Sequence, residues 1–277
     1  MNNIIELEKE AIEIRKRTLE IIYNADGGHT GGSLSSIDIL TTLYYSVLKI
    51  DPDDMEDPKR DRFILSKGHS VEGYYSILAR RGFIDDSLLD TYGKFNSKLT
   101  GHPTNKINGV ELNSGALGHG LSVGVGMALA SKRQGIGFRT FVLMGDGEQA
   151  EGSIMEAAAT AGNYGLDNLV AIIDQNQLQI SGPTKEVFDV GDLNKKYEAC
   201  GWAVTSVDGH DYKAMIDLFS NCPIEKGKPT LIIANTVKGK GISFIENKAE
   251  WHHKVPSEDQ LKQAIEELNE RKESLYE

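Results

Sequence analysis

Asp146 and Asn176 stand thirty positions apart, and each follows an apolar run, residues 141–144 in one case and 169–174 in the other. Short apolar runs bounded by turn residues predict buried strands. Both polar side chains therefore fall at carboxyl ends of strands, where open α/β sheets bind their ligands. A carboxylate, an amide carbonyl and nearby free backbone carbonyls are hard oxygen donors. They suit a magnesium ion that keeps its remaining positions for phosphate oxygens and water. Asp-Gly alone is ordinary turn chemistry. The placement of Gly145-Asp146-Gly147 between a strand and a helical segment is what points to a magnesium-bound diphosphate.

Histidines supply the second set of candidates. His29 projects from Asp26-Gly27-Gly28-His29-Thr30-Gly31-Gly32, with four glycines in seven residues, where backbone can approach a ligand closely. His69 leaves the strand Arg62-Phe63-Ile64-Leu65-Ser66, and His102 lies in Gly101-His102-Pro103, within a stretch of weak periodicity over residues 86–113 that reads as a long surface excursion. Ser114-Gly115-Ala116-Leu117-Gly118-His119-Gly120 opens a small-residue helix over 121–131, whose first amides could receive an anion. Glu151 and Glu156 sit early in an alanine-rich helix predicted over 148–164, where acids are at home near a helix N-terminus.

These residues need a scaffold. Apolar positions Leu7, Ala11, Ile14, Leu19 and Ile22 predict a helix over 4–24, and a second helix is expected from about Ser36, with Ser35-Ser36 as its cap. A helix over 71–81 follows the first strand. Beyond a loop at 178–183 the pattern continues with a helix at 193–200, a strand at 202–207, an Asp211-capped helix to Phe219 and a strand at 230–235. A charged helix from Ser257 to about Leu275 closes the chain. The alternation predicts a doubly wound, mostly parallel sheet flanked by helices, and with no repeat or linker the economical reading is one domain over 1–277.

The formal charge is -11 and the isoelectric point near 5.2, with acids scattered except at residues 51–57, so neither nucleic acid nor an anionic membrane is an expected partner. Cys200 and Cys222 have no paired spacing and are expected to be buried thiols. The start Met-Asn-Asn leads into a charged segment without a signal-peptide core, and no apolar run approaches the length of a membrane span. A reducing, cytoplasmic setting is expected.

Taken together, Gly145-Asp146-Gly147, Glu151-Gly152, Glu156-Ala157, Ala161-Gly162 and the run from Asp174 to Asn176 resemble the diphosphate-binding signature of thiamine diphosphate enzymes. The details resemble transketolase: Gly28-His29, Leu65-Ser66-Lys67-Gly68-His69, Gly101-His102-Pro103, Gly115-Ala116-Leu117-Gly118, Lys238-Gly239-Lys240-Gly241 and Trp251-His252 match in register along nearly the whole chain.

The resemblance implies a thiamine diphosphate-binding fold and roles for particular residues. Asp146 and Asn176 would bind Mg²⁺ through side chains and Leu178 through its carbonyl. Gly147 and Lys238 would contact the diphosphate, with His69, Asn176 and His252 also near the cofactor, and Gly115 and Leu117 would lie by its rings. His29, His69, His102 and His252 would line the substrate channel, contact donor hydroxyls and assist proton transfers, while His119, His210 and His253 are given structural roles. His119, Thr30 and His253 stand where the family often has Gln, Pro and Gly. Glu151 and Glu156 resemble the acids that connect paired active sites across a dimer.

A complete transketolase is longer and has a second domain that supplies the cofactor-activating glutamate and the grip on sugar phosphate. The expected function is therefore that of the N-terminal subunit of a two-chain transketolase, two plus two chains, transferring a two-carbon ketol unit between small sugars and inactive without its C-terminal partner. A subunit of another split thiamine enzyme (modified-ketose transketolase, deoxyxylulose phosphate synthase-like or 2-oxo acid dehydrogenase-like) and a non-catalytic regulatory homologue are the alternatives.

Overall fold

The computed structural model describes residues 3–276. In chain order the elements are α1 (Ile4–Asn24), α2 (Thr30–Thr42), β1 (Arg62–Leu65), α3 (Val71–Arg80), α4 (Gly120–Gln134), β2 (Thr140–Gly145), α5 (Gly152–Asn163) and β3 (Leu169–Gln175). A small antiparallel hairpin, β4 (Leu178–Gln179) and β5 (Gly182–Pro183), leads to α6 (Thr184–Val187) and α7 (Leu193–Ala199). Then come β6 (Ala203–Asp208), α8 (Tyr212–Ser220), β7 (Thr230–Asn235) and α9 (Glu258–Ser274).

The main sheet has the order β1-β2-β3-β7-β6, with every neighbouring pair parallel. Its central strands read as continuous apolar runs because both faces are covered. Phe141, Leu143, Val170, Ile172 and Ile232 face a core built with α1, α2, α3 and α8, whereas Val142, Met144, Ala171, Ile173 and Leu231 face a second core built with α4, α5 and α7. The thin face of α4 brings it close to the second side: a Cβ on Gly124 would lie 2.6 Å from Val142.

Three local expectations change. The second helix begins at Thr30, not Ser36, because Gly31 and Gly32 are helical residues on which Lys238, Trp251, His69 and Ser70 press. Ser35 and Ser36 lie inside the helix and bond inward, to the Gly32 carbonyl and the Asp174 carboxylate. The stretch 86–113 holds one 3₁₀ turn (Asp86–Thr91) and is no mere surface excursion, since Leu89, Tyr92, Leu99, Ile107 and Val110 are buried anchors spaced too irregularly to show a period. The helix expected over 148–164 is a 3₁₀ turn (Gly147–Ala150) followed by α5, with Glu151 at its N-cap position. Both cysteines are free; Cys222 is buried and Cys200 only partly so.

Near the end of α5, a Cβ on Gly162 would stand 1.7 Å from the carbonyl oxygen of Cys200, just after α7, a backbone atom that no rotamer change can move. Gly162→Ala is expected to destabilise the chain by roughly 3 kcal/mol or more. Gly126→Ala on α4, where nothing lies within 4 Å of the new methyl, should stabilise it by roughly 0.5–1 kcal/mol. Urea denaturation of the two variants separates crowding from helix propensity.

Candidate active site at the carboxyl ends of the strands

Four strands end on one side of the sheet, and each hands over a functional residue. Lys67 and His69 follow β1, Gly145 and Asp146 end β2, Asn176 follows β3 and Lys238 follows β7. They meet at a cavity of about 440 Å³, a size suited to a cofactor. Of the residues singled out in the sequence, Asp146, Gly147, Asn176, Leu178, Lys238, His69, His252, Gly115 and Leu117 all line it. His29 and His102 stand on the adjoining wall: the His29 ring is 5.3 Å from that of His69, 5.6 Å from His252 and 6.1 Å from His102, centroid to centroid. His102 lies against Gly115, where a Cβ would be 2.7 Å from the imidazole. Glu151 borders the cavity and is exposed, as is Glu156.

Beneath the cavity lies a buried ion pair that sequence reasoning did not foresee. Lys67 Nζ donates to Asp174 Oδ2, to Ser36 Oγ at 2.9 Å and to the Gly32 carbonyl at 3.1 Å. Asp174 also accepts from Ser35 and Thr236. Burial alone would raise the Asp174 pKa, but the Lys67 ammonium and these hydroxyls hold it below the ordinary carboxylate value. Asp174 is thus committed to the scaffold, and Asp146 is the carboxylate left facing the cavity.

Asp146 is held in place by the backbone. Its Oδ1 accepts from Gly147 N at 2.7 Å and its Oδ2 from Gln177 N at 2.6 Å. Burial, with the Asp174 charge beside it, pushes its pKa up to about 6. Asn176 Oδ1 accepts from Leu178 N at 3.1 Å in a turn where Gln177 takes a positive φ of 62°, and the Leu178 carbonyl accepts from Lys238 Nζ at 3.0 Å. A carboxylate short of positive charge, an amide oxygen and a carbonyl already drawn to an ammonium form a donor set of the kind that fits a hard divalent cation. Gln179 Nε2, buried on the same wall without a partner, is a spare donor.

The imidazoles of His69, His102 and His252 are kept neutral. Burial lowers the pKa of His69 and His102, with the Lys67 charge adding to the effect on His69. Burial and the Lys238 ammonium, in contact with Nδ1 at 3.0 Å, take His252 down to about 3. Lys238 itself falls to about 8, through burial and the nearby Lys67.

His253 was expected to be structural, yet its ring lies 4.1 Å from that of His29 and 4.8 Å from that of His252, so it belongs to the cluster. Ring nitrogens of His29, His252 and His253 lie within 4.8 Å of one another, but the ammonium against His252 opposes a resident cation there. His210 is structural as expected: Nδ1 pairs with the buried Asp38 at 2.7 Å and Nε2 accepts from Val237 N at 2.9 Å, fixing the segment that carries Lys238. His119 is exposed and contacts the Leu117 carbonyl. Two further buried acids were missed. Glu148 accepts from Gly118 N and Gly145 N and so ties the Gly115–Gly118 turn to the end of β2, and Glu72 lies under His29. The signal for Glu72 was a lone carboxylate in the otherwise uncharged run 71–79, whereas Glu148 stands between Asp146 and Glu151 and its burial left no mark in the sequence.

This geometry defines an α/β chain built to hold an anionic cofactor at its strand ends. Residues 7–274 match the family described as transketolase, thiamine diphosphate binding domain. The chain is 49% identical over 269 residues to an apulose-4-phosphate transketolase subunit of Phocaeicola vulgatus, covering 97% of this chain and 96% of that one. It is 41% identical to a 6-deoxy-6-sulfo-D-fructose transketolase subunit of a Clostridium species, covering 95% of this chain and 96% of the relative. The crystal structure of Campylobacter jejuni transketolase superposes with a TM-score of 0.89 at 33% identity, over 97% of this chain but only 43% of that enzyme. The chain belongs to the transketolase family, as its thiamine diphosphate-binding part. It spans less than half the length of the single-chain enzyme and nearly all of the separate subunits.

Because the pKa of Asp146 is raised from 3.8 to about 6, its contribution to folding is present below the unfolded value and lost as pH rises through about 6. Between pH 4 and pH 8 the metal-free chain is therefore expected to lose roughly 2.5 kcal/mol relative to Asp146→Asn. Urea denaturation of both proteins at the two pH values reads this directly, and an unchanged difference would remove the assignment.

Proposed function

We propose that this chain is the cofactor-holding subunit of a two-chain transketolase that moves a two-carbon ketol unit from a ketose donor to an aldose acceptor. The observation that carries this reading is the convergence, at one cavity, of the Asp146, Asn176 and Leu178 oxygens with Lys238 and the imidazoles of His69 and His252. Residues 1–277 act as a single binding domain. Asp146, Asn176 and the Leu178 carbonyl hold Mg²⁺, while Gly147 and Lys238 hold the diphosphate. With its ammonium donating to phosphate, Lys238 would leave the Leu178 carbonyl free for the metal.

Thiamine diphosphate, when bound, supplies the carbon nucleophile and electron sink of the reaction. This chain positions and shields. Gly115 and Leu117 present backbone to the cofactor rings. His29, His69, His102 and His252 face the substrate; a neutral imidazole can donate from one nitrogen and accept at the other, and so orient hydroxyls and take up or return a proton during ketol transfer.

The activating carboxylic acid and the cations for sugar phosphate come from a C-terminal partner, in a two-plus-two assembly. Exposed Ile180 at the cavity rim and exposed Phe188 just beyond are apolar surface that such a partner would cover. The relatives are named for apulose 4-phosphate and 6-deoxy-6-sulfo-D-fructose. These names favour a modified ketose as the donor. A cytoplasmic site of action follows from the same reading.

Calorimetry of the chain mixed with its C-terminal partner is expected to show Mg²⁺-dependent thiamine diphosphate binding, with ketol transfer absent from either chain alone. Asp146→Asn should weaken cofactor binding at least about 100-fold, since even residues behind the metal ligands cost 10–100-fold. Unchanged affinity would refute the metal assignment. A panel of plain, branched and sulfonated ketoses then ranks the donors, and a preference for unmodified pentulose phosphates would overturn the donor class.

A further inference from the structure

Glu72 is a fully buried acid in the first turn of α3. Its Oε1 accepts from His29 N at 3.0 Å and from the Tyr92 hydroxyl at 2.7 Å, and its Oε2 accepts from Ser33 Oγ at 2.7 Å. Burial works to raise its pKa, but the His29 side chain, with the Tyr92 and Ser33 hydroxyls, holds it below the ordinary value, so the carboxylate keeps its charge. A buried anion is expensive unless a cation or a full set of donors answers it. Among the described residues its one ion-pairing contact is His29 Nδ1, 3.9 Å from Oε1.

That nitrogen is itself buried and without a hydrogen-bond partner. An uncompensated carboxylate and an unsatisfied ring nitrogen thus face one another across a gap that a ring movement of about 1 Å closes to hydrogen-bond length. Room for the carboxylate is built into the turn. Gly28 sits at φ 152°, and a Cβ there would lie 2.7 Å from Glu72 Oε1. Fixing the turn would need only a neutral acceptor such as Gln; an ionised acid adds something for the imidazole.

We propose that Glu72 is the positioning residue of His29: it takes the Nδ1–H hydrogen bond, which fixes the tautomer with the Nε2 lone pair toward the channel, and it offsets the charge when Nε2 takes up a proton. The chemical logic is that of a carboxylate behind an imidazole base. His69, His102, His252 and His253 also surround the ring, at centroid distances of 4.1 to 6.1 Å. None of them carries a negative charge. Among the described residues around the ring, Glu72 is the one anion in ion-pairing reach of it. This inference rests on His29 acting in the channel, but its first test does not require turnover.

The experiment uses the chain with its C-terminal partner, Mg²⁺ and thiamine diphosphate. In ¹⁵N-histidine NMR spectra, assigned by loss of the signal in His29→Asn, His29 is expected as the Nδ1–H tautomer. Glu72→Gln, which keeps the shape and one acceptor, should shift it to a mixture or to Nε2–H. In the same complex Glu72→Gln should lower kcat about 10²-fold, with cofactor affinity and the donor KM changed less than about twofold. Added to His29→Asn, it should cost less than about threefold.

Tyr92→Phe, which removes a donor and leaves the charge, should keep the tautomer. An Nε2–H tautomer in the unaltered protein overturns the proposal even if Glu72→Gln fails to fold. The same kcat loss for Glu72→Gln in the His29→Asn background would also overturn it, by making Glu72 an anchor of the turn only. Loss of cofactor binding in the unaltered complex would instead strike the functional reading above.

Discussion

The buried pair of Lys67 and Asp174 is the interaction on which the site depends. It ties the exit of β1 to the end of β3, and through Ser35, Ser36 and the Gly32 carbonyl it draws the start of α2 onto the same point, with Thr236 adding the exit of β7. A buried pair of this kind is weak evidence for net stability, but removing one partner strands the other and costs about 3–5 kcal/mol. Its electrostatic reach is as important as its geometry. The Asp174 charge helps raise Asp146, and the Lys67 charge lowers both His69 and Lys238. One pair thus sets the places of the strand ends and the protonation of the groups mounted on them.

A second buried anion steadies the other side. Asp38 on α2 receives Arg15 in two bonds of 2.9 and 2.7 Å, along with His210 and Tyr212. His210 holds Val237 N and Arg15 Nε holds the Lys240 carbonyl at 3.0 Å, so the loop carrying Lys238 is gripped on both sides of that residue. Alpha2 therefore carries one carboxylate that anchors the lysine loop and the hydroxyls that anchor Asp174. The helix begins early, through two glycines, because it must pass directly under the cavity.

Much of this was legible in the sequence, for physical reasons that differ from residue to residue. Apolar runs between turn residues marked β2, β3 and β7, since a strand buried on both faces has no other way to look. Asp146 and Asn176 could be placed at strand ends because their neighbours fixed the strands. The start of α2 was misplaced because glycine signals both turns and close packing, and only the partner surfaces tell which. Lys67, Asp174 and Glu72 were not assigned because a buried charge is recognised by what answers it, and the partners here lie 107 and 43 positions away in the chain. His253 was given a structural role because it stands outside the matched landmarks; its contact with His29 is tertiary.

The neutrality of the imidazoles is a collective property, and it bears on how labour is divided between chains. His69 and His252 sit near Lys67, Lys238 or each other, and His102 and His253 sit near His29, so a proton arriving on any of these four meets a neighbouring positive charge or the cost of burial. A wall of neutral imidazoles is rich in paired donors and acceptors and poor in net charge. It matches hydroxyls and a carbonyl well and an anionic tail badly. Lys67 is spent on Asp174, and Lys238 reaches the Leu178 carbonyl on the wall of the cavity. Any permanent negative charge at the far end of a sugar must then be met from outside this wall. On the proposed reading, a half-site that handles hydroxyls and cofactor while leaving the anion to a partner can meet different sugars by changing the partner surface alone.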